Sequence, residues 1–371
     1  MTAMTFVFLI GGLVVLIVGA DLMVRGASRL AAAIGISPLV IGLTVVAFGT
    51  SAPELAVSAL SSTSGQDDLA IGNVVGSNIA NILLILGLAA AIVPLTVKRQ
   101  LIRFDLLIMI GSSLLLWFFA RDGNISQREG AILFVGILCY TVFLIVQSRR
   151  EHAASEILEE IYVAVTPSVR HTLQNIALAI IGLGMLLFGS RMLVDSAVTI
   201  ATALGVGEIL IGLTIVAVGT SLPEIATSIV AAMRGERDIA VGNAVGSNIF
   251  NILSVLGITA IITGGGVAVP AVVLSFDMPV MIAVALLCLP VFYSNREISR
   301  WEGVLFLLYY AAYTIYLILS TESSAIMGTF QQILWVAVPI SLIFVVGAGL
   351  RERQEPIEPT SGNSTVTNTL Q

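Results

Sequence analysis

Long apolar stretches separated by short polar breaks recur along the whole chain, and eleven of them are long enough to cross a hydrocarbon core of roughly 30 Å as helices. They show no two-residue alternation, and a bilayer admits only helices or closed barrels, so the pattern predicts an all-α integral membrane protein. The predicted spans are 5–33, 37–62, 69–93, 101–120, 128–147, 173–203, 207–232, 239–263, 271–293, 302–320 and 330–350.

Composition agrees with this pattern. Of 371 residues, 57% are hydrophobic and 11% are charged, and the mean hydropathy is +1.03, which excludes a soluble globular domain. The first span has neither a basic leader nor a small-residue cleavage site, so we expect a retained helix rather than a signal peptide. Cys139 and Cys288 lie in apolar spans and indicate no redox chemistry. The net charge of -6 indicates no nucleic-acid partner, and neither a cofactor nor an obligatory protein partner is predicted.

An internal repeat divides the chain into two halves. At a shift of 170 residues, 28 of the 47 positions from Ile41 to Gly87 are identical to those from Ile211 to Gly257. A shift of 173 residues aligns Ile125, Ser126, Glu129 and Gly130 with Ile298, Ser299, Glu302 and Gly303. We therefore predict a first five-helix repeat (1–147), a cytoplasmic linker (148–172), a second five-helix repeat (173–320), an extra transmembrane helix (321–350) and a disordered cytoplasmic tail (351–371).

The odd number of helices per repeat sets the topology. A repeat of five helices inserts its second copy upside down, which is the inverted-repeat architecture of secondary transporters. With the N-terminus outside and the C-terminus in the cytoplasm, fourteen Lys and Arg residues fall on the cytoplasmic side and three outside. This distribution satisfies the positive-inside rule. The predicted fold is two inverted-topology repeats of five transmembrane helices plus one extra C-terminal helix, in the cell membrane.

Each repeat carries a glutamate in the middle of a span, within the sequences GTSAPE (49–54) and GTSLPE (219–224). An ionised side chain at a helix centre costs roughly 2.5–3.5 kcal/mol, and no basic residue lies at comparable depth, so the expected partner is a cation or a proton. The proline before each glutamate opens the helix and frees backbone carbonyls near the glycine. Together with the Thr and Ser hydroxyls, these all-oxygen ligands suit Ca²⁺ better than Mg²⁺ or a transition metal. One copy alone would also suit a packing kink around a protonated glutamate, and two copies disfavour that alternative.

A second motif opens the third and eighth spans, at 72–81 and 242–251. Its glycines alone indicate close helix packing. Asn73, Asn78 and Asn81 are spaced five and three residues apart, so their amides lie on or near one helical face and complete a coordination shell if that face meets Glu54. The remaining acids are interpreted as structural. Asp21 and Asp195 form local ion pairs with Arg25 and Arg191 or snorkel to the interface, Asp105 and Asp277 lie near segment starts, where they cap the helix or interact with its dipole, and Glu129 and Glu302 open segments.

With both motifs present twice at equal spacing, the sequence resembles the sodium/calcium exchanger family over about residues 5–320. The resemblance implies a Ca²⁺ site formed by Glu54 and Glu224 with Thr50 and Thr220. It also implies flanking Na⁺ sites that involve Ala47, Ser51, Ser77, Asn81, Ala217, Ser221, Ser247 and Asn251. Some members have Asp at the position of Asn251, and the neutral amide disfavours potassium co-transport. The short linker has no room for large regulatory domains, so the chain resembles a minimal prokaryotic exchanger.

We therefore expect a secondary antiporter, not an enzyme, that exchanges Ca²⁺ for Na⁺ by alternating access at a midplane site of paired glutamates. One Ca²⁺ neutralises two carboxylates, and several Na⁺ can replace it on the same oxygens. The first and sixth spans, long and rich in glycine, are expected to slide across a core of the second, third, seventh and eighth. The alternatives are Ca²⁺/H⁺ exchange through the same glutamates, a passive channel and, more distantly, an intramembrane hydrolase that uses the glutamates as acid and base.

Overall fold

The computed structural model of the chain describes residues 3–156, 169–205, 217–293, 296–321 and 327–352. Within these residues the fold is nearly all helical. Its helices are α1 (Ala3–Ile34), α2 (Pro38–Thr50), α3 (Ala52–Thr63), α4 (Asp67–Ile92), α5 (Leu101–Asp122), α6 (Gln127–Glu156), α7 (Val169–Ala203), α8 (Ala217–Thr220), α9 (Leu222–Met233), α10 (Arg237–Ile262), α11 (Val273–Tyr293), α12 (Arg300–Thr321) and α13 (Met327–Glu352). Four short strands join them: β1 (Leu95–Thr96), β2 (Asn124–Ile125), β3 (Val267–Ala268) and β4 (Glu297–Ile298).

The helices match the predicted spans in number and order. Among the described residues, eight helices are long and apolar enough to cross a membrane, and the bent pair α2 and α3 supplies a ninth. The seventh predicted span corresponds to α8 and α9, with residues 207–216 outside the described part of the chain, and the eleventh corresponds to α13. The fold is therefore an all-α membrane fold of two inverted five-helix repeats and one extra helix, as predicted.

Helices extend into the segment predicted to link the two repeats. α6 continues to Glu156 and α7 already begins at Val169, so the predicted linker 148–172 is helical at both of its ends. The remainder of that linker, 157–168, and the predicted disordered tail beyond residue 352 lie outside the described residues. The sequence placed these boundaries at charged residues, but charged side chains can continue a helix beyond the membrane surface.

α1 and α7 cross in close contact and run in opposite directions, as inverted repeats require. A Cβ atom on Gly19 would lie 2.7 Å from the backbone nitrogen of Leu186, and one on Gly182 would lie 2.4 Å from that of Met23. Backbones approach this closely only where a residue lacks a side chain. The same close contact recurs nearer the N-terminus of α1, where a Cβ on Gly12 would lie 3.0 Å from the carbonyl oxygen of Gly189.

The core consists of α2, α3 and α4 packed against α8, α9 and α10. Glycines in the second copy of the Asn-containing motif bring α10 onto α2, because a Cβ on Gly242 would lie 2.9 Å from the carbonyl oxygen of Leu39 and one on Gly246 would lie 2.8 Å from Cα of Leu43. These glycines therefore have the packing role that the sequence indicates for them.

Two small antiparallel sheets tie the repeats together. β1 of the first repeat pairs with β4 of the second, and β2 pairs with β3, so the two pairings are related by the internal symmetry. Side chains reinforce both junctions: Lys98 Nζ lies 2.7 Å from Asp238 Oδ2, and Asp67 Oδ2 accepts a hydrogen bond of 3.0 Å from the backbone nitrogen of Ala268. The strands were not predicted, because two residues are too few to show alternation.

Two pairs of acids interpreted as structural can now be assigned. Glu129 and Glu302 each accept hydrogen bonds from the backbone N–H and hydroxyl of the serine three residues earlier, at 2.6–2.8 Å, which is a helix-capping arrangement. Asp105 and Asp277 lie near the starts of their helices, as predicted, but their side chains do not cap them. They lie one turn inside α5 and α11 and accept hydrogen bonds from the hydroxyls of Tyr140 and Tyr313, at 2.9 and 2.8 Å.

Candidate ion-binding site

Both proline-containing motifs interrupt a helix inside the core. The serine at each break has a backbone ψ of 5°, outside the helical range, and α2 and α3 are bent by 43° at this point. Each proline takes a first-turn position of the following helix, where its missing N–H costs no hydrogen bond. Each glutamate then lies in the first turn, at the positive end of the helix dipole, which favours a carboxylate. The residues are Ser51, Pro53 and Glu54 in the first repeat and Ser221, Pro223 and Glu224 in the second.

The two glutamates lie between the repeats and each contacts the break of the opposite repeat. Glu54 and Glu224 are both only 1% exposed. Ser51 Oγ donates to Glu224 Oε1 at 3.3 Å, and Ser221 Oγ donates to Glu54 Oε1 at 3.4 Å. The symmetry of these two contacts brings both carboxylates and both serines into one centre.

The first asparagine of each Asn-containing motif supports this centre rather than facing it with a free oxygen. Asn73 Nδ2 donates to the backbone carbonyl of Glu54 at 3.2 Å and to Ser58 Oγ at 2.9 Å, while its Oδ1 accepts from Thr220 Oγ1 at 3.5 Å. It therefore fixes the first turn of α3 and joins it to the opposite repeat. The second repeat shows the same arrangement with Asn243, Glu224, Ser228 and Thr50, at 3.4, 2.9 and 3.1 Å.

α4 and α10 add further buried hydroxyl and amide groups, of which Ser77 contacts the centre directly. Ser77 of α4 lies 3.4 Å from Ser221, oxygen to oxygen. Asn81, one turn further along α4, donates from Nδ2 to Asn248 Oδ1 at 2.9 Å. Asn81, Asn248 and Asn251 are 1–3% exposed, so these amides are withdrawn from bulk water.

Several buried oxygens of the predicted site have no hydrogen-bond partner in the protein. They are Glu54 Oε2, Glu224 Oε2, Asn81 Oδ1, Asn251 Oδ1 and Ser247 Oγ. Leaving a buried polar atom unpaired costs about 1–3 kcal/mol, and more for a charged group. Four of these five atoms can only accept, so an ion or proton, rather than another acceptor, is the partner that they suit. The donor set fits a hard cation that takes oxygen ligands.

The two glutamates are surrounded by few other metal-binding side chains among the described residues. In the described part of the chain, no group of three or more His, Cys, Asp or Glu side chains could hold a metal. A cation bound between the two carboxylates would take its remaining ligands from hydroxyl, amide and carbonyl oxygens, which is the kind of site that the sequence predicts.

Two backbone features differ from the expectation of freely available carbonyls. The carbonyl of Gly219 accepts a hydrogen bond of 3.0 Å from Ser190 Oγ of α7, which uses the acceptor freed by the proline. The carbonyl of Ala47 accepts from Ser51 N at 3.0 Å and Thr50 Oγ1 at 3.4 Å. Ala217 starts α8, but its side chain is outside what the structure describes.

Sequence reasoning missed the residues that hold the predicted ligands in place. Asn243, Asn248, Ser190 and Met109 all contact this centre or its immediate supports. Asn243 and Asn248 were visible as motif positions, since they repeat Asn73 and Asn78. Ser190 and Met109 carry no sequence signal, because their role depends on which helices become neighbours.

This architecture defines a class of protein: a polytopic membrane transporter in which two inverted repeats bring broken helices and buried oxygen atoms together. The family model described as "Sodium/calcium exchanger protein" matches residues 4–146 and 174–319. The chain belongs to the sodium/calcium exchanger family, and like its relatives it is a transporter rather than an enzyme.

Named relatives cover nearly all of the chain's membrane region. The sodium/calcium exchanger MaX1 of Methanosarcina acetivorans is 34% identical over 359 residues, covering 85% of this chain and 99% of its own. The inner membrane protein YrbG of Escherichia coli is 40% identical over 285 residues, covering 76% of this chain and 87% of its own. A solved structure of the sodium-calcium exchanger NCX_Mj, soaked with 10 mM Na⁺ and zero Ca²⁺, superposes with a TM-score of 0.73 at 32% identity, covering 84% of this chain and 98% of that one.

Proposed function

We propose that this protein exchanges Ca²⁺ for Na⁺ across the cell membrane at one site between its repeats, with Glu54 and Glu224 as the charged ligands. The observation that carries the proposal is that each glutamate has one buried oxygen bonded to the opposite repeat and one with no protein partner. Two carboxylates match the charge of one Ca²⁺. The additional ligands are Thr50, Thr220, Ser51, Ser221, Ala47, Ala217, Ser77, Ser247, Asn81 and Asn251.

Exchange follows if the two kinds of ion need the same oxygens. Ca²⁺ takes six to eight oxygen ligands, and carboxylates bind it most strongly. Several Na⁺ bound to the same carboxylates and to the nearby amides Asn81 and Asn251 would displace Ca²⁺ by competition. A transporter that moves only when its buried charges are neutralised then couples the two gradients.

The packing of α1 and α7 supports an access mechanism in which these helices move against the core. α1 lies along α9, where Thr227 is 0% exposed, but α7 scarcely touches α3, and Val57, the counterpart of Thr227, is 38% exposed. Inverted repeats exchange conformations between the two access states. With the N-terminus outside, as the distribution of Lys and Arg favours, this arrangement is closed to the cytoplasm and open to the exterior.

At this closed end, polar contacts join α1 to the turn after α9. Asp21 pairs with Arg25 at 2.9 Å and also with Arg234, and Ser28 Oγ donates to Glu236 Oε1 at 2.5 Å. The corresponding positions in the second repeat hold Arg191, Val198, Ser64 and Gln66, which cannot make the same contacts. We infer that these contacts favour the outward-open state.

Breaking the Asp21–Arg234 pair is expected to shift the protein toward the inward-open state. In a variant with Cys139 and Cys288 replaced by serine, a cysteine at Val57 reports the outer opening and one at Thr227 reports the inner. Asp21→Asn with Arg234→Gln should lower maleimide labelling at 57 and raise it at 227, each about twofold to fivefold, since a partly exposed ion pair contributes up to about 1 kcal/mol. Asp195→Asn on α7 is the control, and unchanged labelling at both positions would contradict the inference.

The coupling ion is tested by ⁴⁵Ca²⁺ uptake into proteoliposomes. We expect uptake that requires Na⁺ inside the vesicles and increases with an outward Na⁺ gradient at equal pH. Uptake that ignores Na⁺ but follows a pH gradient would make the protein a Ca²⁺/H⁺ antiporter using the same glutamates. Loss of Ca²⁺ along its own gradient without any counter-ion would make it a channel.

A further inference from the structure

A line of buried hydrogen bonds runs from Met109 on α5 through Asn248 to Asn81, one of the predicted ion ligands. Asn248 of α10 donates from Nδ2 to the sulfur of Met109 on α5 at 3.5 Å. Its Oδ1 accepts from Asn81 Nδ2 at 2.9 Å. All three residues are at most 3% exposed, so water cannot replace these partners freely.

The chemistry of the three groups gives this line a direction. A thioether sulfur can only accept a hydrogen bond, whereas an amide has one end that donates and one that accepts. Met109 therefore holds the NH₂ end of Asn248, so the oxygen of Asn248 faces Asn81. Asn81 must then use its own NH₂ group for that bond, which leaves Asn81 Oδ1 buried and without a partner in the protein.

We propose that Asn248 is a positioning residue, held by the sulfur of Met109, that turns the amide oxygen of Asn81 toward the transported cation. The proposal rests on the proposed function, because it assigns Asn81 as an ion ligand. If the amide of Asn248 were reversed, its NH₂ group would face Asn81, and the oxygen of Asn81 would have to accept that hydrogen bond. The NH₂ group of Asn81 would then point at the site, where a hydrogen-bond donor repels a cation.

The internal symmetry supplies a second set of the same groups, in which the hydrogen bond between the two asparagines is missing. Asn78 Nδ2 lies 3.6 Å from the sulfur of Met281 on α11, as Asn248 does from Met109. The next bond is not made here, because Asn78 Oδ1 and Asn251 Oδ1 both have no partner. Both hydrogen bonds are made in the set that ends at Asn81, and only the contact with methionine is made in the set that includes Asn251. The proposal therefore concerns Asn81.

Met109→Leu tests the proposal with little change of volume. We expect the Na⁺ concentration for half-maximal Ca²⁺ exchange to rise about twofold to tenfold, the range that one hydrogen bond covers. The Ca²⁺ concentration for half-maximal uptake should change less, because Asn81 is predicted to serve Na⁺. Met278→Leu is the matched control, since it alters a fully buried methionine of α11, one turn from Met281.

A double-mutant cycle separates positioning from packing. Asn248→Asp replaces the amide with a group whose two oxygens can accept from Asn81 in either orientation, so Met109 should no longer matter. In the Asn248→Asp background, Met109→Leu is therefore expected to leave the Na⁺ dependence unchanged. If Met109→Leu acts through packing alone, it will have the same effect in both backgrounds.

The outcomes distinguish this proposal from the function on which it rests. Wild-type protein without Na⁺-dependent Ca²⁺ uptake would refute the proposed function before any variant is compared. Wild-type exchange with an unchanged Na⁺ dependence in Met109→Leu, or an equal effect of Met109→Leu in both backgrounds, would overturn the positioning role. Thermal unfolding of each purified variant identifies any that fail to fold. If Met109→Leu is one of them, Asn248→Asp against wild type decides, because its carboxylate still accepts from Asn81 and should keep Na⁺ binding at least as strong as in wild type. A higher Na⁺ concentration for half-maximal exchange in Asn248→Asp would then overturn the positioning role.

Discussion

Glu54→Gln and Glu224→Gln are each expected to abolish Ca²⁺ uptake by Na⁺-loaded proteoliposomes. Each substitution keeps the size of the side chain and removes one of the two charges at the centre. In the proposed site each carboxylate is paired with Ca²⁺. Removing one partner of a buried pair of opposite charges costs about 3–5 kcal/mol, so Ca²⁺ affinity should fall by more than about 100-fold. Initial rates of ⁴⁵Ca²⁺ uptake across a range of Ca²⁺ concentrations measure the loss.

The control for these variants is Asp68→Asn, which removes an exposed acid from the first turn of α4. It changes the net charge equally and should leave uptake close to that of wild type. Uptake that survives both glutamate substitutions would mean that the ion site lies elsewhere in the protein. A loss in one variant only would show that the two repeats contribute unequally, against the symmetric hydrogen bonds of the centre.

Gly182→Ala is expected to impair transport and stability more than any other single methyl addition in α7. The added Cβ would lie 2.4 Å from the backbone nitrogen of Met23 and 2.7 Å from the carbonyl oxygen of Gly19. Neither backbone atom can move without separating α1 from α7. Overpacking of this kind costs about 1–3 kcal/mol, and it also blocks any sliding of the helix pair that needs this close contact.

Gly184→Ala provides a matched control for that substitution. It lies two residues away on the same helix, and its added Cβ would meet no described atom within 4 Å. Thermal unfolding in detergent and Na⁺-dependent uptake should both be reduced in Gly182→Ala and unchanged in Gly184→Ala. Equal behaviour of the two variants would contradict the close crossing of α1 and α7.

Much of the fold can be predicted from the sequence, because a bilayer requires long apolar helices and these are easily recognised. Hydrophobic length gave the spans, and the repeat of 41–87 at 211–257 gave two halves of opposite orientation. The broken helices at Pro53 and Pro223 were also predictable, since proline removes a hydrogen bond. The two small sheets and the helical extension of α6 could not be predicted, because they depend on contacts between segments far apart in the chain.

The sequence predicted which residues meet at the candidate site better than it predicted what each of them does there. The glutamates, serines and Asn81 do meet between the repeats, with unpaired oxygens at five of the predicted positions. Asn73 was expected to offer an oxygen to the ion, but it braces Glu54 and Thr220 instead. Helical spacing cannot distinguish these roles, because both place an amide on the same face of α4.

Equilibrium binding of ²²Na⁺ and ⁴⁵Ca²⁺ to the purified protein, measured together, tests the shared-ligand site most directly. Our account predicts that bound Na⁺ falls as bound Ca²⁺ rises, with neither ion at full occupancy in the presence of the other. Glu54→Gln and Glu224→Gln should weaken the binding of both ions. Simultaneous saturation by Na⁺ and Ca²⁺ would contradict the account, because the ions would then occupy independent sites and could not exchange by competition.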